Sequence, residues 1–572
     1  MKIKYTFIIL FTSCFIMSSC SDNNNPSGTL EEATRPNILL IVGDDLGFTD
    51  LGSFGGEIST PNLDSLAFEG VRFTNFHGGR ACQQTRAMLM SGRGVSSVME
   101  ARPTRPDGQR DNVITTKAAL VSELLQDAGY TNFIAGKWDL GLEAPHTPAT
   151  RGFDRGFVLL EAANRHFNVG ESLWNPLSSD GLSSDGTESL SYYEEDGVRL
   201  EFSDLPDNFY STKNYTDKVL DYLQAHNNES PWFTFIPYTA PHWPLQVPDD
   251  WLDKYEGKYD QGYDILRDQR ITQASLLGVI PNGANLNNNY KRSLPWSSLS
   301  SEEKARYARA QEIYASMIEY MDMSIGRIID YLESSNQLDN TVIIFLSDHG
   351  ASSGEHGVNP NWRQIASGPR YDIDRFDNSL ENYGKKYSWI DHGEGFAEAA
   401  SAPFKYFKGR LSEGGLRSAG FISFPKAITQ PSIDHTFLTY MDLFPTLLDI
   451  AGTQHPGAGN YKGREILPII GKSFWPYLLN ETNYVHDEED VAGWSANRTG
   501  AITRGNYKLI NHPPPGLGGG ETVVGFGDSG VSNDIPWELY DLSIDPSETN
   551  NIASENPELV SELSEIWERD WR

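Results

Sequence analysis

Short apolar runs alternate with helical patterns over most of the chain. Runs of five to seven residues, rich in Val, Ile, Leu and Phe, predict buried strands at residues 37–42, 130–135, 232–238, 341–346 and 419–424. Apolar positions at helical spacing predict helices at residues 62–69, 116–128, 212–225, 305–333 and 440–451. Because strands and helices alternate, we expect an α/β fold with a large, mostly parallel sheet sandwiched by helices.

The pattern changes after about residue 475. Short strand patterns occur at residues 498–503, 507–510 and 537–540, and a Gly/Pro-rich loop lies at 513–520. A last amphipathic helix is predicted at residues 557–571. We therefore expect a catalytic domain at residues 35–474 and a smaller C-terminal α+β domain at 475–572.

The N-terminal segment has the pattern of an export signal. Two lysines lead into an apolar run at residues 5–17, and small residues follow up to Cys20. This ending resembles a bacterial lipoprotein signal at residues 1–20, in which Cys20 carries the lipid, and residues 21–34 are a polar tether. We expect an exported bacterial lipoprotein, anchored in a membrane by this lipid alone, in the periplasm or at the cell surface.

The balance of charge restricts the partners. The formal net charge is −32, which argues against nucleic-acid binding. A polyanionic substrate would also be repelled unless a local basic pocket captures it.

Cys82 is the only cysteine outside the N-terminal segment, because the other two are Cys14 and Cys20. It follows a glycine pair at the predicted start of a helix, with Arg86 one turn later. A cysteine in this setting is either a reactive group or a buried, inert thiol. The spacing alone leaves both possibilities open.

Two predicted strands end in polar residues. Asp44 and Asp45 follow the first strand, and Asp348 and His349 follow the strand at 341–346. Binding sites of α/β sheets lie at the carboxyl ends of the strands, where three carboxylates would repel each other without a cation. One pair alone fits turn or helix-cap chemistry, but both pairs together favour a metal site, and the oxygen ligands favour Ca²⁺ or Mg²⁺.

Several motifs of the chain occur in the order found in one enzyme family. They are Arg35-Pro36-Asn37, Gly136-Lys137-Trp138, Tyr238-Thr239-Ala240-Pro241-His242-Trp243-Pro244, Glu319-Tyr320-Met321-Asp322, Glu413-Gly414-Gly415-Leu416-Arg417, Met441-Asp442-Leu443-Phe444-Pro445-Thr446 and Trp537-Glu538-Leu539-Tyr540-Asp541-Leu542. With these motifs the chain resembles a type I, formylglycine-dependent sulfatase of the alkaline-phosphatase superfamily. The resemblance implies sulfate-ester hydrolysis.

The resemblance also implies a role for each candidate residue. Cys82 would be oxidised by a formylglycine-generating (sulfatase-maturing) enzyme to formylglycine, whose hydrated aldehyde attacks sulfur. The other implied roles are metal binding by Asp44, Asp45, Asp348 and His349, support of the nucleophile by Arg86, binding of sulfate oxygens by Lys137 and Lys408, and protonation of the leaving oxygen by His242.

The chain departs from the family motifs at Gln84 and Asp139. The maturation signal has Pro or a small residue where Gln84 stands, and the motif around Lys137 has His where Asp139 stands. Three hypotheses follow. The chain is a sulfatase with Asp139 as a substitute base, a phosphate or phosphonate ester hydrolase of the same superfamily, or an inactive protein that binds sulfated glycans.

We expect a sulfated polysaccharide or its oligosaccharides as the substrate. Trp174, Trp243, Trp296, Trp389 and Trp494 are candidates for stacking on sugars. Arg267 and Arg270 are predicted to lie in a loop, where they form surface ion pairs or contact acidic sugars.

Overall fold

The computed structural model describes residues 35–104, 110–170, 190–286, 293–355, 357–359, 376–496, 499–511 and 535–572. The signal peptide, the tether, Trp174 and the loop at 513–520 lie outside these residues, so their predictions stay untested. Arg35–Arg572 form one compact unit. The domain boundary near residue 475 also stays a prediction. Among the described helices, none is long and apolar enough to cross a membrane.

The described strands, in chain order, are β1 (Asn37–Gly43), β2 (Val71–His77), β3 (Met99–Thr104), β4 (Arg110–Ile114), β5 (Thr131–Lys137), β6 (Arg155–Leu159), β7 (Leu190–Glu195), β8 (Val198–Glu201), β9 (Trp232–Pro237), β10 (Thr341–Ser347), β11 (Arg417–Ser423), β12 (Ser432–Asp434), β13 (Leu438–Thr439), β14 (Gly459–Tyr461), β15 (Arg464–Ile466), β16 (Val491–Ala496), β17 (Thr499–Arg504), β18 (Tyr507–Asn511) and β19 (Glu538–Asp541).

The described helices are α1 (Pro61–Glu69), α2 (Cys82–Ser91), α3 (Val95–Val98), α4 (Val121–Asp127), α5 (Ser211–Ala225), α6 (Tyr263–Leu276), α7 (Ser301–Ser334), α8 (Gly393–Ala400), α9 (Glu413–Leu416), α10 (Tyr440–Ile450), α11 (Trp475–Leu478) and α12 (Pro557–Asp570).

An 11-stranded mixed sheet forms the centre of the molecule. Its order is β12-β2-β11-β10-β1-β9-β5-β6-β7-β8, with β13 also paired to β2. The four central pairs, β10 with β1, β1 with β9, β9 with β5 and β5 with β6, are parallel. The expected α/β fold is therefore confirmed.

Both faces of this sheet are covered by helices. Leu39 and Ile41 of β1 face a core that includes Ile313 of α7. Ile38 and Leu40 face the opposite core, with Met88 of α2. Because the strand is buried on both faces, its sequence is a continuous apolar run and does not alternate.

The C-terminal residues form a second sheet. β16, β17, β18 and β19 pair in this order as a four-stranded antiparallel sheet. Trp567 of α12 packs on it, and its ring lies where a side chain at Gly500 of β17 would stand. The expected C-terminal α+β region is therefore present.

Most predicted helices agree with the structure to within a few residues, and the ends are set by capping. α4 begins at Val121 instead of 116 because the carboxylate of Glu123 accepts the N–H of Leu120. α7 begins at Ser301 because Ser300 and Glu303 form a capping box. Helices α6 and α8 were not predicted, and neither were strands β2, β6, β7, β8, β12 and β13 of the main sheet or β16 of the C-terminal sheet.

The prediction for Arg267 and Arg270 is wrong. Both lie on helix α6 and are buried. Arg270 forms ion pairs with Asp50 at 2.6 Å and with Glu57 at 2.8 Å, and Arg267 donates to the carbonyl oxygen of Pro403. Both arginines therefore bind groups of other segments in the interior and do not lie in a surface loop.

Candidate active site

The four predicted metal ligands lie together at one edge of the main sheet. β1 and β10 are parallel neighbours in register, with Gly43 beside Ser347, so Asp44 and Asp45 emerge next to Asp348 and His349. All four side chains are fully buried. The N–H of Asp45 donates to Oδ1 of Asp348 at 3.0 Å, which joins the two loops directly.

Cys82 begins helix α2 and points into the same cluster. Its Sγ lies 3.3 Å from Nε2 of His349 and 3.9 Å from Oδ1 of Asp45. Burial and the nearby Asp44 raise the pKa of the thiol well above its usual range. Without a bound cation, the unmodified thiol of Cys82 is therefore neutral and a poor nucleophile.

The donor set fits a hard divalent cation. Ligand atoms of Asp44, Asp45, Cys82, Asp348 and His349 all lie within 4.8 Å of one another. Oδ1 of Asp44 and Oδ2 of Asp348 are buried and have no hydrogen-bond partner among the described residues. Burial and Asp44 raise the pKa of Asp348 to about 7, which indicates a shortage of positive charge that a bound cation would correct.

Three permanent cations surround the carboxylates. Nζ of Lys137 lies 2.7 Å from Oδ2 of Asp44, and Nζ of Lys408 lies 2.7 Å from Oδ1 of Asp45. Nη2 of Arg86 lies 3.6 Å from Oδ2 of Asp44. Burial opposes the ionisation of Asp44, but Lys137 and His242 hold its pKa well below the usual range.

His242 lies beside Asp45 with a defined tautomer. Its Nδ1 is 2.6 Å from the carbonyl oxygen of Trp243, so Nδ1 carries a proton and donates it. Its Nε2 is 3.5 Å from Oδ2 of Asp45. The imidazole therefore directs Nε2 towards the cluster.

Asp139 follows strand β5, two residues after Lys137. It has a left-handed backbone, with φ of 58°, and its carbonyl oxygen accepts from Nε2 of Gln83 at 3.1 Å. Burial raises the pKa of its carboxyl to about 6, against the opposing effect of Lys137 and Arg86. An acid with this pKa can exchange a proton near neutral pH.

The structure therefore brings every predicted site residue to one cluster. Sequence reasoning missed Tyr314, whose hydroxyl lies 3.0 Å from the carbonyl oxygen of Asp45 and 2.6 Å from Oδ2 of Asp50. It also missed Thr85, whose hydroxyl donates to the carbonyl oxygen of Asp348 at 2.8 Å. Tyr314 lies in the middle of a long helix, where no local pattern marks it.

The tryptophan candidates separate into two groups. Trp243 and Trp389 pack together beside His242, with ring centroids 6.0 Å apart. Trp296 packs against Phe396 in the core, and Trp494 is buried and donates to the carbonyl oxygen of Gly78 at 2.8 Å. Of the four candidates that the structure describes, Trp243 and Trp389 adjoin the cluster.

The C-terminal sheet binds the segment that follows Lys408 through buried charges. Nζ of Lys508 on β18 lies 2.7 Å from Oε1 of Glu413 and 2.9 Å from Oε1 of Glu548. Glu413 also binds His77 at the end of β2, at 2.9 Å. This network holds the segment that follows Lys408 against the main sheet.

Comparison with known proteins agrees with this geometry. The sulfatase family model matches residues 36–453. An uncharacterised sulfatase of Schizosaccharomyces pombe is 37% identical over 549 residues, covering 94% of this chain and 93% of the relative. The arylsulfatase of Klebsiella aerogenes is 32% identical over 450 residues, covering 77% of this chain and 91% of the relative.

A similar fold occurs in the crystal structure of Ps i-CgsB in complex with k-i-k-neocarrahexaose. The TM-score is 0.62 at 21% identity, and the match covers 94% of this chain and 93% of that one. Fold and site define a hydrolase of the alkaline-phosphatase superfamily. The chain belongs to the sulfatase family and is a sulfuric ester hydrolase.

Proposed function

We propose that this enzyme removes sulfate from sulfated polysaccharides or oligosaccharides, with a formylglycine made from Cys82 and a bound Ca²⁺ or Mg²⁺. The observation that carries the proposal is the position of Cys82 Sγ, 3.3 Å from His349, within a ring of carboxylates that is enclosed by three cations. Formylglycine at this position would supply a hydrated aldehyde, an oxygen nucleophile that no encoded side chain provides.

Lys137, Lys408 and Arg86 bind and orient the sulfate. Sulfate oxygens gain negative charge as the ester bond breaks, and buried ammonium and guanidinium groups stabilise this charge strongly. Lys137 and Lys408 contact Asp44 and Asp45, so both ammonium groups lie at the cluster, where they would bind sulfate oxygens. Nη1 of Arg86 donates to the carbonyl oxygen of Lys137 at 2.7 Å, which fixes the guanidinium beside position 82.

His242 acts as the general acid. The carbonyl oxygen of Trp243 holds the proton on Nδ1, so Nε2 is the atom that gives a proton to the leaving alcohol oxygen when the ring is protonated. Asp139 acts as the general base at position 82, in the place where the family motif has histidine. Its raised pKa of about 6 leaves it ionised at neutral pH.

Asp44, Asp45, Asp348 and His349 would hold the cation. When bound, it would neutralise charge on the sulfate and lower the pKa of a nearby hydroxyl. The carboxylate-rich set favours Ca²⁺ or Mg²⁺ over softer metals.

A carbohydrate is the substrate class we favour. One similar structure holds a neocarrahexaose, and the paired rings of Trp243 and Trp389, although themselves buried, adjoin His242. The export signal and Cys20 at residues 1–20 support an exported lipoprotein, which would meet polymeric sugars outside the cytoplasm.

The test begins with the chemical state of residue 82. The protein is co-expressed with a sulfatase-maturing enzyme, and the mass of the tryptic peptide of residues 81–86 is measured by mass spectrometry. We expect replacement of sulfur by an aldehyde oxygen, together with hydrolysis of an aryl sulfate and of sulfated oligosaccharides. Cys82→Ala serves as the matched control and is expected to bind the metal without turnover. An unconverted thiol, or preference for an aryl phosphate or phosphonate, would contradict the proposal.

A further inference from the structure

The first turn of α2 holds several loops of the site at once. Three side chains after Cys82 each bind a backbone carbonyl: Gln83 binds that of Asp139 at 3.1 Å, Thr85 that of Asp348 at 2.8 Å and Arg86 that of Lys137 at 2.7 Å. Gln84 is the remaining residue of the turn. Its Oε1 accepts the backbone N–H of Arg80 at 3.2 Å.

This contact connects Gln84 to the loop of Lys408. The carbonyl oxygen of Arg80 accepts the N–H of Gly409 at 2.7 Å, and Nη1 of Arg80 donates to the carbonyl oxygen of Gly409 at 3.3 Å. Gly409 directly follows Lys408 and has φ of 84°. Gln84, Arg80, Gly409 and Lys408 thus form one continuous chain of contacts that ends at Asp45.

The backbone between Cys82 and Gly78 fits closely around Gln84. A Cβ added at Gly79 would lie 2.5 Å from Cβ of Gln84, so the loop passes directly over this side chain. The N–H of Gly79 donates to the hydroxyl of Thr85 at 2.8 Å. Without the side-chain oxygen of Gln84, the hydrogen bond from the N–H of Arg80 to α2 would be lost.

We propose that Gln84 is a positioning residue for Lys408, and this rests on the function proposed above. Proline or alanine, the residues of the family's maturation signal at this position, carry no side-chain acceptor for Arg80. Gln84 therefore departs from the maturation signal, but its side chain supplies an acceptor that helps to hold the loop of Lys408. Small displacements of a group that binds the reacting anion lower turnover strongly.

The test separates maturation from turnover. Wild type, Gln84→Ala, Gln84→Glu and the exposed control Gln269→Ala are produced with the maturing enzyme. Formylglycine content is measured by peptide mass, and kcat is divided by that content. We expect Gln84→Ala to be converted at least as fully as wild type, with kcat per converted site about tenfold lower and KM changed less than threefold. Gln84→Glu retains an acceptor and is expected to stay within threefold of wild type.

Amide hydrogen exchange on the same metal-loaded proteins provides the second measurement. We expect Gln84→Ala to exchange faster at residues 78–82 and 405–410 and to be unchanged elsewhere, which distinguishes a local loss of position from general destabilisation. Unchanged kcat per converted site, or unchanged exchange at 405–410, would overturn the proposal. A wild-type protein without formylglycine and without sulfatase activity would instead refute the proposed function, and exchange would still decide whether Gln84 holds the loop.

Discussion

Two aspartates of the site, Asp45 and Asp139, have left-handed backbones with φ of 69° and 58°. This conformation is unfavourable for most residues, although aspartate tolerates it better than others. Each one is held by a contact from another element. Tyr314 of α7 supports the carbonyl of Asp45, and Gln83 of α2 supports that of Asp139. The directions of both carboxylates therefore depend on residues that do no chemistry.

The role of Asp139 as a base predicts an acid limb in the pH profile. Its pKa of about 6 is raised by burial, and a base must be unprotonated to act. We therefore expect kcat to fall about tenfold per pH unit below pH 6. In Asp139→Asn, kcat should be about 10²-fold lower and should no longer show this fall at low pH.

Asp139→His is the matched control, because it restores the residue of the family motif. We expect it to keep most of the lost activity, with a limb near the ordinary histidine pKa of about 6.5. The check is kcat of both variants measured from roughly pH 4.5 to 8.5, a range that spans both pKa values. If Asp139→Asn kept the wild-type limb, another group would be the base.

The role of His242 predicts a dependence on the leaving group. A sugar alcohol must be protonated as it leaves, whereas nitrophenolate leaves readily as an anion. We expect His242→Gln to lower kcat/KM for a sulfated sugar by about 10²–10³-fold, but for nitrophenyl sulfate by less than about tenfold. The check is a series of aryl sulfates with graded leaving-group acidity. Equal losses across this series would show that His242 binds the sulfate and does not act as the acid.

At the scale of elements, the C-terminal sheet supports the site across the molecule. Trp494 of β16 donates to the carbonyl of Gly78, just before the nucleophile, and Lys508 of β18 binds Glu413 and Glu548. These charges are buried, so each depends on its partner for compensation. The small sheet therefore fixes both the start of α2 and the segment after Lys408.

Removal of the Lys508 charge should destabilise the whole chain. Lys508→Met leaves Glu413 and Glu548 buried with one cation fewer, and we expect a loss of about 3–5 kcal/mol in the free energy of unfolding. Lys462→Met is the control, since Lys462 pairs with Asp127 at the exposed surface and should change stability by less than about 1 kcal/mol. Urea unfolding of both variants gives the comparison. A loss no larger than that of the control would mean that water or other cations replace Lys508.

Five central strands of the main sheet and most of the candidate site could be predicted from the sequence, for identifiable reasons. β1 and β10 are buried on both faces, so they are uninterrupted apolar runs, and the aspartates follow them directly. α6 and β2 were missed because their polar residues are buried by distant partners. Arg270, for example, pairs with Asp50 and Glu57, more than two hundred residues away. Local patterns carry no signal of such pairs.

At the scale of the whole molecule, the site gathers buried carboxylates in a chain whose net charge is already −32. Asp44, Asp45 and Asp348 are fully buried, and the surrounding protein adds to their repulsion. Lys137, Lys408 and Arg86 compensate part of it. The two buried carboxylate oxygens without a hydrogen bond among the described residues, on Asp44 and Asp348, mark the place where a cation would contribute to folding and not only to catalysis.

Metal removal should therefore lower both stability and activity. A cation that binds only the folded state stabilises it by about 2.7 kcal/mol at a concentration of 100 Kd, which corresponds to a Tm shift of roughly 2–3 °C for a chain of this length. We expect EGTA to abolish turnover and lower Tm if the ion is Ca²⁺, and EDTA alone to do so if it is Mg²⁺. When the ion is restored in steps, Tm measured by calorimetry should rise with the logarithm of the free ion concentration. Asp348→Asn removes one ligand charge and should weaken this dependence. If both chelators left Tm and turnover unchanged, the lysines and the arginine would suffice to balance the carboxylates, and the site would work without an exchangeable cation.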